Sequence, residues 1–151
     1  MVRYLILYAL TLVFFFAIDL TWLGVVAKNL YREKLGFILS DKVNWAAAVI
    51  FYLIYIAGIL YFVLLPGLES TSITRVIMNG ALLGFLCYAT YDLTNMATIA
   101  KWPLSIVVID MIWGAFLTAA CSTAAYWVYT RFIAWCKPPY YFSAISGADA
   151  N

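Results

Sequence analysis

Long apolar runs alternate with short polar breaks along the whole chain. From about Tyr4 to Val26 the only charged residue is Asp19. That run is too long for the core of a signal peptide, and no small-residue cleavage pattern follows it, so it predicts a retained transmembrane helix. Between Lys28 and Lys42, charges are interleaved with Leu30, Tyr31, Leu35, Phe37 and Ile38, which predicts an interfacial loop or short surface helix over 27–43. A second span is predicted over 44–65, closed by Pro66-Gly67. A third is predicted over 75–99 and a fourth over 104–129, joined by a tight turn at Lys101-Trp102-Pro103, because the residue before a proline is pushed out of the helical region. Arg131, Trp135 and Lys137 mark the exit at the interface, and Pro138-Pro139 stops the helix ahead of a loose tail over 138–151. Trp45, Trp102, Trp135 and the tail tyrosines read as an interfacial belt.

The expected fold is all-α: an integral membrane bundle of four transmembrane helices, one domain over 1–151, with both termini on the same side. Composition agrees. Of 151 residues, 67% are hydrophobic and 11% charged, and the mean hydropathy is +0.97, which leaves little polar surface for water. At about 20 residues per crossing the length admits roughly four spans and no further soluble domain. A scattered net charge of +2 does not suit a nucleic-acid binder. Basic residues divide almost evenly between the two sides of the bundle, so they set no orientation.

Histidine is absent, which excludes Ser-His-Asp and Cys-His hydrolases, imidazole-bound zinc and haem with a proximal histidine. The three cysteines, Cys87, Cys121 and Cys136, follow no CxxC spacing. The first two lie in apolar segments, where a thiol acts as a small hydrophobe. Neither a cofactor nor a metal motif is present, and none is expected.

In the last two spans, Gly80 and Gly84 have the small-xxx-small spacing that lets helices approach closely, and Gly114, Thr118 and Ser122 continue such a stripe on the other helix. The informative exceptions to the apolar pattern are Asp19, Asp92 and Asp110, three of the seven acidic residues. Counting from the span ends at about 1.5 Å per residue, all three fall roughly 10 Å below one boundary of a core about 30 Å thick. No Lys or Arg is expected at that depth, so the carboxyl groups either hold protons or admit a cation. Trp22, Tyr91, Thr94, Asn95 and Trp113 complete the expected polar pocket, with Thr21 and Ser105 as further donors. An indole follows Asp19 and Asp110 at i+3, and Asn95 follows Asp92 at the same offset, which suggests that each acid has its own polar neighbour one turn on.

Tyr91-Asp92-Leu93-Thr94-Asn95-Met96-Ala97-Thr98, Lys101-Trp102-Pro103 and Asp110-Met111-Ile112-Trp113-Gly114 resemble blocks of a bacterial domain-of-unknown-function family of four-helix membrane proteins. Asp19-Leu20-Thr21-Trp22-Leu23-Gly24, Tyr31 with Leu35-Gly36, and Phe51-Tyr52-Leu53-Ile54-Tyr55 resemble its earlier blocks. The similarity covers nearly the whole chain. It implies a complete single-domain protein of the bacterial inner membrane and brings no activity with it.

Three functions fit these residues. One is a module that binds or moves protons, a hard cation or a small amphiphile at the acids; a four-helix chain is small for a carrier, so this implies several copies together. Another is an enzyme using carboxyl acid catalysis on a lipid or isoprenoid-like substrate, although no nucleophile or phosphate loop accompanies the acids. The last is an assembly subunit whose acids only order the bundle. The expected partners are the bilayer, further copies of the chain, and a small ligand or cation in the pocket, with no nucleic acid.

Overall fold

The computed structural model describes residues 2–40 and 42–133. Trp135, Cys136, Lys137 and the expected tail lie outside them. Four helices are long and apolar enough to cross a membrane: α1 (Val2–Val26), α3 (Trp45–Glu69), α4 (Ile73–Thr98) and α5 (Leu104–Ile133). The short α2 (Lys28–Leu35) sits between the first two. No strand occurs among the described residues.

The helix ends follow local chemistry. The Asn44 side chain accepts the Ala47 N–H at 3.1 Å and opens α3. Ser72 does the same for Arg75 at 3.3 Å and opens α4. Pro66 does not end the second span, which continues to Glu69. A π-helical turn at Leu60–Leu64 ends two residues before the proline. The Phe62 carbonyl, four residues before an imide that has no N–H to give, accepts from Asn79 Nδ2 at 3.3 Å instead. The last turns of α1 (Trp22–Val26) and α5 (Tyr129–Ile133) are also π-helical.

The tightest pairing is α4 with α5. Gly80 faces Ala119 and Ser122, and Gly84 lies so close to the Gly114 carbonyl and the Thr118 hydroxyl that a Cβ could not be inserted. Gly114 in turn leaves the space that the Tyr88 ring fills. Helix α1 packs on α5, and its buried residues form a stripe at every fourth position, Leu7, Thr11, Phe15 and Asp19. Leu7 and Phe15 join Ile56, Val63 and Leu117 in the main core. Val13, Leu20, Ile50, Ile54, Leu82 and Ile112 are exposed on the outside, as a lipid-facing surface requires.

A smaller core lies at one end of the bundle. There Leu30, Tyr31 and Leu35 of α2 pack on Trp102, Ile106 and Val107. Lys101, in the left-handed region at φ 68, turns the chain between α4 and α5. Trp102 is consequently not an interfacial belt residue: it is 7% exposed and covered by α2.

Candidate functional site

The three intramembrane acids are all buried, and each meets a different neighbour. Asp19 ends the buried stripe of α1, and its Oδ2 accepts the Tyr52 hydroxyl of α3 at 3.0 Å. Tyr52 is held there edge-on to Phe15 at 5.8 Å and tilted against Phe16 at 4.6 Å. Asp110 lies on the buried face of α5, one turn before Gly114, and its Oδ1 accepts the Tyr31 hydroxyl of α2 at 2.5 Å. The α2 helix thus delivers a polar tip to an acid inside α5 while its leucines cover the end of the bundle.

Asp92 differs from both. It is 0% exposed, yet neither of its oxygens has a hydrogen-bond partner among the described residues. The Trp102 indole interacts with Asp92, but its N–H also lacks a well-formed hydrogen bond. Asp110 lies within electrostatic reach of Asp92. Among the described residues no Lys or Arg forms an ion pair with any of the three acids, and the one ion pair there is Lys34–Glu33, at 3.4 Å on the surface.

The two indoles cross over. Trp22 and Trp113 stack with centroids 4.3 Å apart and planes 12° from parallel. Each lies toward the acid of the other helix: Trp113 is beside Asp19, although its Nε1 forms no hydrogen bond among the described residues, and Trp22 Nε1 donates at 3.4 Å to Tyr31, which bonds Asp110. The i+3 spacing therefore does not give each acid its own neighbour. It places two indoles where α1 and α5 meet, and the stack exchanges their partners.

Several expected pocket residues stand elsewhere. Thr94 is exposed, and its hydroxyl returns to the carbonyls of Thr90 and Tyr91 at 2.5 and 3.0 Å. Thr21 likewise bonds Ala17 of its own helix at 2.7 Å. Ser105 is exposed. In hydrocarbon, such back-bonds are the cheapest way to satisfy a hydroxyl. Asn95 is half-buried and lies beside the Tyr91 phenol rather than on Asp92. Tyr91 is 59% exposed, edge-on to Trp102 at 5.9 Å. Among the described residues, no three Asp, Glu or Cys side chains come together as an ion site, so the geometry does not favour a hard cation held by all three acids.

Tyr31, Tyr52, Tyr88 and Trp102 are the participants that the sequence reading passed over. A signal existed for the tyrosines: their phenols stand among apolar residues, where a polar tip needs a partner. Tyr31 lies outside the spans, and there burial, reinforced by the hydrogen bond to Asp110, pushes its phenol above its ordinary value of 10.0. It therefore stays a neutral donor to Asp110.

Residues 4–127 match the family described as Predicted membrane protein (DUF2177). The chain belongs to this family, whose function is unknown, and it is a membrane protein with four candidate spans. No curated protein and no solved structure matches it.

Proposed function

We propose that the protein binds and releases protons at the pair Asp92 and Asp110, in a bacterial inner membrane and as several copies of the chain together. The observation that carries this reading is Asp92: fully buried, unpartnered at both oxygens, and within electrostatic reach of a second acid. An uncompensated carboxylate is expensive in a membrane. A proton is the smallest ligand that removes the charge, and two interacting carboxyl groups titrate as a unit. The run from Trp22 through Tyr31 to Asp110 supports a link between this pair and α2, outside the spans. Asp19 has a different role in this reading: with Tyr52 bonded to it, it orders α1 against α3.

The test is proton uptake by the purified protein in lipid nanodiscs, followed with a soluble pH indicator after a small acid pulse. Wild type takes up about one proton per chain more than Asp92→Asn, and Asp19→Asn behaves as wild type. Equal uptake by wild type and Asp92→Asn would contradict the proposal.

A further inference from the structure

Beside the acids, between α3 and α4, lies a cavity of 310 Å³ lined by Phe51, Tyr55, Cys87, Tyr88 and Tyr91. Its size falls at the lower end for small-molecule sites. Four of the five lining residues are aromatic, and three of those rings are fixed from outside the cavity. Tyr55 shares a 2.8 Å hydrogen bond with Thr118 of α5. The Tyr88 ring is seated on the bare backbone of Gly114. Tyr91 abuts Trp102 edge-on. Phe51 stacks on Tyr55 with centroids 5.4 Å apart. Tyr55 and Tyr88 are therefore in place before anything enters, while Phe51 and Tyr91, both exposed, line the side that opens to the outside of the bundle.

The cavity also lies in the field of all three acids. Asp19 acts on Tyr55 and Tyr88, Asp110 on Tyr88 and Tyr91, and Asp92 on Tyr91. In a medium of low dielectric such fields reach far, and among the described residues no basic side chain pairs with the acids. A metal ion would have to leave its water shell for a cavity whose lining offers neutral phenols and no carboxylate. An organic cation sheds water cheaply and gains from ring faces.

We propose that this cavity binds a small lipophilic organic cation, an alkylated or quaternary ammonium, with its charge among the rings of Tyr55, Tyr88 and Tyr91. The site goes beyond the proton reading: its walls are other residues, and it shares with that reading only the charge that Asp92 and Asp110 carry when they have released their protons. A bound acyl chain is the competing occupant; it would fill the same space without regard to charge.

The experiment is calorimetric titration of the full chain in nanodiscs, with empty nanodiscs as blank, using benzyltrimethylammonium and its neutral carbon isostere neopentylbenzene. The cation is expected to bind saturably and at least about tenfold more tightly than the isostere. Tyr88→Phe, which keeps the ring, retains binding, whereas Tyr88→Leu loses about tenfold. Asp92→Asn weakens the cation and leaves the isostere unchanged. If Tyr88→Leu does not fold, the comparison of the two probes on wild type and Tyr88→Phe decides. No saturable heat with the cation, or equal affinity for the two probes, overturns the proposal. The probe carries no transferable proton, so this result and the proton count can fail separately.

Discussion

Tyr31 and Asp110, 79 positions apart in sequence, are joined by a hydrogen bond of 2.5 Å from the phenol to the carboxyl oxygen. The bond fastens the short helix α2 to the inside of α5 and gives a buried acid a hydrogen-bond partner. Removing the donor should cost stability without emptying the site of volume. Tyr31→Phe is expected to lose about 1–3 kcal/mol, the cost of leaving a buried acceptor unpaired, seen as a lower Tm in detergent. An unchanged Tm would mean that α2 is held by its leucines alone.

The same bond has a pH signature. Because burial and Asp110 raise the Tyr31 phenol above 10.0, the folded state keeps that proton where the unfolded chain has begun to lose it. The stability contributed is whole below about pH 10 and declines as pH rises beyond it. Thermal unfolding from neutral to strongly alkaline pH should therefore fall more steeply for wild type than for Tyr31→Phe. Parallel curves would remove Tyr31 from the account.

Asp92 and Asp110 should respond oppositely to the same change. Asp92→Val removes two unpartnered buried oxygens and replaces them with a similar shape, so Tm should hold or rise. Asp110→Val strands the Tyr31 hydroxyl and should cost about 1–3 kcal/mol. A large loss for Asp92→Val would show that Asp92 is needed to order the bundle.

Close approach of α4 and α5 makes glycine positions unequal. Gly84→Ala drives a methyl group into the Gly114 backbone and should destabilise by about 1–3 kcal/mol. At Gly58, where an added Cβ meets nothing within 4 Å, alanine should be neutral or stabilise by up to about 1 kcal/mol. Equal Tm shifts in the two variants would contradict the packing described.

The stacked indoles should be coupled. A double-mutant cycle of Trp22→Leu and Trp113→Leu, read by unfolding in detergent, should give an interaction of about 0.5–1.5 kcal/mol. Strict additivity would mean that the stack contributes only its buried area.

Much of this fold is legible in the sequence because lipid permits few alternatives. Runs free of charge can only be helices there, which gives the four spans within a few residues. Pro66 misleads, since the carbonyl it orphans is rescued by Asn79, a contact between helices that no local pattern reveals. The burial of Asp19, Asp92 and Asp110 follows from the cost of exposing them to lipid. Their partners do not follow. Tyr31 and Tyr52 reach acids on other helices, and the two indoles exchange acids across a stack, so spacing along one helix names the wrong neighbour. Trp102 looks interfacial beside Lys101 and Pro103 until α2 folds over it.

Proton binding at Asp92 can be read by infrared difference spectroscopy of the protein in lipid across a pH step. A carboxyl C=O stretching band should appear on acidification, present in wild type and Asp19→Asn and absent from Asp92→Asn. A spectrum without such a band, or one that persists unchanged in Asp92→Asn, would contradict it.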